Sequence, residues 1–225
     1  MPPPRRPPPG SPRGPSRGWS ARRLPILLGA LVLAAAAYSW WSGRPPGPPP
    51  PDPGRDVIVF LGDSITSGHG LPLALTFPHR LGEALGVSVR NAGISGDLTA
   101  GGLARLDRDV LTYRPKLVVV ELGVNDAFGR LPRAQTLGNL RAIVRRIRKD
   151  GAGVLLVHID PRPIGPDDYR QGYRDLARTE GTWFVEDFLA GVAPGLTTDG
   201  LHPNEEGHAR LAARLEPLLR EILAR

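Results

Sequence analysis

Residues 57–68 read VIVFLGDSITSG, an apolar run that ends at a glycine and continues with small polar residues. A short apolar run bounded by such a turn is typical of a buried strand. Four similar runs follow, at Val87–Val89, Leu117–Leu122, Val154–Val157 and Trp183–Val185. Because helical patterns separate these runs at roughly thirty-residue spacing, we expect βαβ units, a parallel sheet and an α/β fold.

Two of the intervening patterns have apolar residues three and four positions apart, which predicts helices with one buried face. They contain Leu137, Leu140, Val144 and Ile147 in the first, and Leu211, Leu215, Leu218 and Ile222 in the second. Asn204 precedes the second pattern and is expected to be its N-cap, with Glu205 and Glu206 in the first turn. His208 lies within this pattern and is interpreted as facing solvent.

Four short polar blocks occur at residues 62–66 (GDSIT), 91–96 (NAGISG), 123–126 (GVND) and 199–204 (DGLHPN). The first three follow predicted strands, and the fourth precedes the last predicted helix. In open α/β sheets, ligands bind at the carboxyl ends of the strands. We therefore expect the four blocks to meet at one edge of the sheet and to form one site.

The first and last blocks contain a candidate nucleophile and its base. Ser64 lies in a tight turn, where its hydroxyl could attack a substrate or could serve only as a helix N-cap. His202 lies three residues after Asp199, a spacing that lets the carboxylate orient the imidazole. The alternative for this pair is a surface loop that caps the following helix.

The two middle blocks offer hydrogen-bond donors for an oxyanion. Gly93 has no side chain, so its backbone N–H can approach a substrate, and Asn125 has an amide; Ser64 supplies its own backbone N–H. The alternatives are a plain turn glycine and an Asx turn. The neighbouring Asp63 and Asp126 are interpreted as structural.

The remaining histidines are weaker candidates for the base. His158 is interpreted as a strand-end residue that could line the pocket, and His69 and His79 rank below it. The sequence contains neither a G-x-S-x-G elbow nor a phosphate-binding loop. It has no His-Glu-x-x-His run and no Cys, so no metal and no cofactor is predicted.

Charge and proline divide the 225 residues into two parts. Residues 1–55 carry eight Arg, one Asp and 16 of the 26 Pro, whereas residues 56–225 carry 21 basic and 21 acidic residues. The net charge of +7 therefore belongs to the N-terminal part, which argues against a nucleic-acid partner. We predict a disordered basic tail at 1–23 and a folded domain at 56–225.

Between these parts, residues 24–41 run without a charge, and Tyr38, Trp40 and Trp41 cluster at the far end. As a helix this segment would span roughly 27 Å, which predicts a transmembrane anchor. Six Arg precede it, so the N-terminus is expected in the cytosol and the folded domain outside, at a bacterial cell membrane. The alternative is a signal peptide that is cleaved at Ala35–Ala37, which leaves a secreted or periplasmic domain. Residues 42–55 are expected to be a Pro-rich spacer.

The four blocks resemble, in order, the signature blocks of the SGNH (GDSL-type) hydrolases. Residues 91–106 (NAGISGDLTAGGLARL) and 131–140 (LPRAQTLGNL) are similar to the bacterial thioesterase I, lysophospholipase L1 and arylesterase branch. The resemblance implies a three-layer, flavodoxin-like α/β/α fold with a five-stranded sheet of order 2-1-3-4-5. It also implies metal-free hydrolysis by a Ser64, His202 and Asp199 triad, with Ser64, Gly93 and Asn125 as oxyanion donors.

The implied function is that of a serine esterase acting on acyl esters, thioesters or lysolipids. Removal of acetyl groups from cell-envelope carbohydrate is an alternative activity of the same site, and a silent, membrane-tethered binding module is the non-enzymatic alternative. The chain departs from the branch at Ala127-Phe128, where a Gly-Leu pair is expected. It also departs at residues 158–169, which read HIDPRPIGPDDY.

Overall fold

The computed structural model describes residues 47–161, 169–192 and 194–225. Its strands are β1 (Val57–Gly62), β2 (Ser88–Gly93), β3 (Leu117–Glu121), β4 (Gly153–Val157) and β5 (Trp183–Val185). All pairs are parallel and the order is β2-β1-β3-β4-β5. The α/β fold and the implied sheet order are therefore confirmed.

Helices connect the strands on both faces of the sheet. They are α1 (Ser64–Ser67), α2 (Phe77–Leu85), α3 (Thr99–Ala104), α4 (Leu106–Asp109), α5 (Val124–Phe128), α6 (Arg133–Lys149), α7 (Arg170–Glu180) and α8 (Glu205–Leu223). Both helices predicted from apolar spacing are present, as α6 and α8. Asn204 caps α8 as expected, because its side chain accepts a hydrogen bond from the Gly207 N–H at 3.0 Å.

Alternate residues of each central strand belong to two separate hydrophobic cores. Val59 and Leu61 of β1 contribute to the core that contains α6 and α7, whereas Ile58 and Phe60 contribute to the core of α2 and α8. This alternation follows from the period of two along a strand. Helices cover both faces of the sheet, so the domain has three layers and its central strands β1, β3 and β4 are apolar over most of their length.

His208 corrects one expectation, since it is buried rather than solvent-facing. Its Nδ1 atom accepts a hydrogen bond from the backbone N–H of Phe77 at 3.1 Å, which joins α8 to α2. The prediction was wrong because His208 lies three residues before Leu211, in the same buried stripe of α8. Burial, followed by the positive charge of Arg80, lowers the pKa of His208 to about 4.

The N-terminal predictions fall largely outside the described residues, including the segment at 24–41. Within 47–161, 169–192 and 194–225, no helix is both long and apolar enough to cross a membrane. Arg55, at the end of the predicted spacer, donates to the Asp150 carboxylate at 2.7 Å and to the Pro115 carbonyl at 3.2 Å. The last residue of that spacer therefore packs against the folded domain.

Candidate active site

The turn after β1 places Ser64 at the start of α1. The Asp63 side chain accepts a hydrogen bond from the Ile65 N–H at 2.9 Å and is the N-cap of this helix. Ser64 is therefore the first helical residue and not the cap, which removes the alternative of a pure capping role. Its side chain is free to point away from the helix, at the carboxyl end of the sheet.

Ser64, His202 and Asp199 form one chain of hydrogen bonds. The His202 Nε2 atom lies 3.0 Å from the Ser64 Oγ atom, and the His202 Nδ1 atom lies 2.6 Å from an oxygen of Asp199. The other Asp199 oxygen accepts the backbone N–H groups of His202 and Leu201, at 2.8 and 3.0 Å. These donors, the His202 N–H first, hold the pKa of the Asp199 carboxyl well below its usual range. The carboxylate is therefore ionised and can orient the imidazole.

The loop that carries Asp199 and His202 is closed by its own hydrogen bonds. The Thr198 N–H donates to the His202 carbonyl at 2.8 Å, and Thr197 forms an isolated antiparallel bridge with Pro203. Gly200, at the tip of the loop, has a φ of 84°, a left-handed conformation that glycine adopts without strain. The Asp-Gly-Leu-His spacing is thus long enough for the Asp199 carboxylate to turn back and contact the His202 imidazole.

Gly93 does not have the geometry of an oxyanion donor. Its N–H donates to the Asn91 side-chain oxygen at 2.9 Å, and Gly93 is absent from the lining of the cleft beside Ser64. A Cβ atom at this position would lie 2.2 Å from the backbone nitrogen of Ser67. Glycine is therefore needed here because α1 packs directly against the end of β2.

Gly96 replaces Gly93 as the glycine at the cleft. It lines the cleft with Ser64 and Asn125, and its φ of 76° turns the loop after β2. In the part of the chain that the structure describes, no acceptor is hydrogen-bonded to the Gly96 N–H. This N–H can therefore donate to a bound group, which is the role that the sequence predicts for the Gly93 N–H.

Asn125 lies in the first turn of α5 and also lines the cleft. Its amide nitrogen donates to an Asp63 carboxylate oxygen at 3.1 Å and to the Asp97 carbonyl at 3.0 Å. These two bonds fix the side chain between the turn that carries Ser64 and the loop after β2. The amide is thus held at the edge of the cleft, close to the Ser64 turn.

Buried carboxyl groups lie beneath these donors. Glu121, at the end of β3, accepts the Thr66 hydroxyl at 2.7 Å, and burial and the charge of Asp63 raise its pKa well above the usual value. Burial raises the pKa of Asp63 to about 6. Asp126 accepts the Thr99 N–H at 2.9 Å and the Thr99 hydroxyl at 2.6 Å, so it joins α5 to the start of α3. These contacts are structural, as expected for Asp63 and Asp126.

The cleft beside Ser64 has a volume of about 700 Å³. Much of its wall is apolar, including Val124, Phe128, Ile159, Leu189, Val192 and Leu201. Phe128 belongs to one of the two segments in which the sequence departs from the branch it resembles, and Ile159 lies in the other. Each segment therefore contributes at least one described residue to the wall of the cleft, whereas Ser64, Asn125, Asp199 and His202 lie outside both segments.

The family model of the GDSL-like Lipase/Acylhydrolase family matches residues 60–210. The chain belongs to this family. Esterase TesA of Pseudomonas aeruginosa is 36% identical over 178 residues, which cover 74% of this chain and 89% of TesA. The thioesterase 1/protease 1/lysophospholipase L1 of Escherichia coli K12 is 29% identical over 181 residues, covering 73% and 85%. A crystal structure of TesA, also 36% identical, matches with a TM-score of 0.68 and covers 74% of this chain and 99% of that one.

Membership of the GDSL-like family, together with relatives that are esterases and thioesterases, makes this chain a carboxylic ester hydrolase. Among the described residues, no group of three or more His, Asp or Glu side chains is arranged to hold a metal ion.

The other histidines of this GDSL-like domain occupy different environments. His158 is buried, packs edge-on against the Tyr173 ring at 5.0 Å between centroids and does not line the cleft, contrary to one interpretation of the sequence. His79 is exposed on α2, near Glu83. His69, by contrast, lines the cleft and stacks on His202, a contact that no local pattern in the sequence indicates.

Proposed function

We propose that the protein is a serine esterase in which Ser64 is the nucleophile, His202 the general base and Asp199 the residue that orients the base. The observation that carries this proposal is the continuous hydrogen-bonded chain from Ser64 through His202 to Asp199, at 3.0 and 2.6 Å. Such a chain activates a hydroxyl that is otherwise a weak nucleophile at neutral pH.

In the proposed reaction, the Ser64 Oγ atom attacks the carbonyl carbon of an ester or thioester while His202 Nε2 takes the hydroxyl proton. The tetrahedral intermediate collapses as His202 returns this proton to the leaving oxygen or sulfur. Water then enters, loses a proton to His202 and attacks the acyl-enzyme. Release of the carboxylic acid restores the Ser64 hydroxyl.

We assign the oxyanion to three donors: the Ser64 N–H, the Gly96 N–H and the Asn125 amide. Gly96 takes the place first assigned to Gly93, because it lines the cleft and the Gly93 N–H is bonded to Asn91. The Asn125 amide already donates to Asp63 and to the Asp97 carbonyl. One of these bonds must open or become shared when the amide binds the oxyanion.

The proposed substrates are acyl esters or thioesters with a chain longer than acetyl, including lysolipids. The apolar wall and the volume of about 700 Å³ support this choice, since an acetyl group would leave most of the wall uncovered. The names of two relatives, a thioesterase 1/lysophospholipase L1 and an esterase, are consistent with it. Each buried methylene contributes about 0.8 kcal/mol, or up to roughly a fourfold gain in kcat/KM.

A graded panel of p-nitrophenyl esters, from acetyl to dodecanoyl, tests this proposal on the full chain. We expect kcat/KM to rise from acetyl to at least hexanoyl and then to level off when the cleft is filled. Turnover confined to acetyl esters would contradict the acyl assignment and favour the carbohydrate O-acetylesterase. The Ser64→Ala variant is the control for hydrolysis that does not depend on the proposed nucleophile.

We also propose that residues 24–41 anchor the domain at the outer face of a bacterial membrane. The uncharged length of this segment, the Arg residues before it and the aromatic residues at its end support the proposal. The intact mass of the native protein decides between the anchor and a cleaved signal peptide. We expect the mass of the chain from residue 1, and we expect the protein to resist extraction from membranes by carbonate. A mass that corresponds to a chain starting near residue 38 would contradict the anchor.

A further inference from the structure

The rings of His69 and His202 are stacked, with their centroids 4.4 Å apart and their planes inclined by 29°. His69 lies two residues after the end of α1, the helix that begins with Ser64. Its N–H donates to the Ser64 carbonyl at 3.1 Å, and Gly68 between them has a φ of 73°. The same helical turn therefore carries the proposed nucleophile at its start and the stacking ring at its end.

The two hydrogen bonds of His202 leave one motion of its ring poorly restrained. These bonds use the two ring nitrogens, whose N–H and lone pair point outward in the plane of the imidazole. A small shift of the ring along its normal changes both distances only slightly, but it takes the Nε2 lone pair out of line with the Ser64 Oγ atom. A group packed on the face of the ring opposes this shift.

His69 is the residue in position to do so. In the described part of the chain, no other aromatic ring stacks on His202. The His69 Nδ1 atom lies 3.4 Å from the Ser95 hydroxyl oxygen, which lies 3.3 Å from that of Ser67. The Ser67 hydroxyl in turn donates to the Ser64 carbonyl at 3.1 Å. The stacking ring is thus attached to both the nucleophile turn and the loop that carries Gly96.

The surroundings of the catalytic loop make this contact important. Asp199 has 47% of its side-chain surface exposed, and its loop is held mainly by its own short-range hydrogen bonds. An exposed carboxylate on such a loop restrains the imidazole less than a buried one would. A residue outside this loop can restrain the His202 ring by packing on its face, and His69 makes this contact.

We propose that His69 is a positioning residue for His202: its ring holds the imidazole in line with the Ser64 hydroxyl, as proton transfer requires. This role rests on the proposed function, and it is distinct from contact with the substrate. The restraint acts on the chemical step and therefore on kcat rather than on KM.

The test uses three variants of the full chain: His69→Ala, His69→Phe and His79→Ala. His69 is exposed, so its replacement is expected to leave the fold intact. His79, also exposed but on the side of α2 near Glu83, is the matched control. The measurements are kcat and KM for a p-nitrophenyl ester, the rate of Ser64 labelling by a fluorophosphonate, and the thermal midpoint.

We expect His69→Ala to lower kcat and the labelling rate by about tenfold with an unchanged KM, and to leave the thermal midpoint equal to that of His79→Ala. His69→Phe, which retains a ring but cannot bond to Ser95, should recover kcat to within about threefold of the wild type. A wild-type kcat in His69→Ala, a change in KM alone, or a His69→Phe variant no better than His69→Ala would each overturn the inference. Retained activity in Ser64→Ala would show instead that the proposed function fails, whatever the His69 variants do.

Discussion

The Nε2 atom of His202 lies 3.0 Å from the Oγ atom of Ser64, although 138 residues separate the two along the chain. Ser64 follows the central strand β1, and His202 lies in the loop that precedes α8. Parallel strands present all their carboxyl ends at one edge, so the doubly covered sheet brings these distant segments together. The hydrogen-bonded chain is therefore a consequence of the fold and not of any single motif.

Replacement of Asn125 by Ala is expected to lower kcat by about a hundredfold to a thousandfold, with a smaller effect on KM. The reason is that its amide is proposed to bind the oxyanion, which forms only after substrate is bound. Asn139→Ala is the control, because Asn139 also donates a hydrogen bond, to Thr99 at 3.1 Å, but does not line the cleft. Steady-state kinetics of both variants provide the measurement. An equal loss of kcat in Asn125→Ala and Asn139→Ala would refute the assignment of Asn125 as a donor.

The two glycines of the second block should respond differently to Ala. Gly93→Ala places a Cβ atom 2.2 Å from the Ser67 nitrogen, so α1 must move and the thermal midpoint should fall by several degrees. Gly96→Ala meets no atom within 4 Å and costs only the strain of its positive φ, roughly 1 kcal/mol. It is nevertheless expected to reduce kcat, because relief of that strain rotates the N–H away from the cleft. Calorimetry and kinetics on both variants check this, and a greater loss of stability in Gly96→Ala would contradict it.

Arg105 is predicted to be a major determinant of stability near the site. Its buried guanidinium donates to the Ala92 carbonyl and the Asp97 carboxylate, each at 2.7 Å, and to the Gly62 carbonyl at 3.1 Å. Arg105→Met removes one donor from each of these acceptors and leaves the largely buried Asp97 carboxylate without this cation, so we expect a loss of about 3–5 kcal/mol in the free energy of unfolding.

The matched control for this prediction is Arg145→Met. Arg145 is itself exposed but its partner Glu180 is buried, so a second variant, Arg178→Met, is the exposed reference. Arg178 pairs with Asp175 at 3.1 Å, and 71% and 51% of their side-chain surfaces are exposed. An exposed pair of this kind contributes at most about 1 kcal/mol. Urea unfolding of the three variants measures the difference, and equal losses would show that burial of the Arg105 guanidinium has no special effect.

Acid should destabilise the domain in part through His208. Its pKa is lowered to about 4 in the fold, so the unfolded chain binds this proton more readily. The contribution is therefore complete above the ordinary pKa of 6.5 and is lost as the pH falls from 6.5 towards 4. His208→Asn retains an acceptor for the Phe77 N–H but cannot be protonated.

Between pH 7 and pH 4, the wild type should therefore lose about 2–3 kcal/mol more unfolding free energy than His208→Asn. Denaturant unfolding at three pH values within this range provides the measurement. Parallel losses in the two proteins would mean that protonation of this histidine does not limit stability in acid.

Much of the fold could be predicted from the sequence because its three central strands are buried on both faces. Such strands appear as short apolar runs, and all five predicted runs overlap the strands observed. The apolar stripe of α8 likewise identified the helix, although the predicted stripe began at Leu211 and left out His208. Extension of the same three- and four-residue spacing to His208 would have placed this residue in the core.

Two features of the site could be predicted: the approach of Ser64, Asn125 and His202, which follows from the order of the strands, and the contacts between residues that are close in the chain. Asp199 and His202 interact across three positions, and Asp63 caps the helix that follows it, so local spacing was informative. The choice between Gly93 and Gly96 depends on which N–H is already bonded, and here the decisive partner is the Asn91 side chain. The stacking of His69 on His202 joins residues at opposite ends of the domain sequence, and nothing in either local pattern indicates it.

A fluorophosphonate probe followed by peptide mass spectrometry locates the nucleophile. We predict a single adduct on Ser64, loss of ester hydrolysis in proportion to labelling, and neither labelling nor hydrolysis in Ser64→Ala. His202→Ala should label at least a hundredfold more slowly. An adduct on another residue, or a Ser64→Ala protein with wild-type turnover, would show that Ser64 is not the nucleophile.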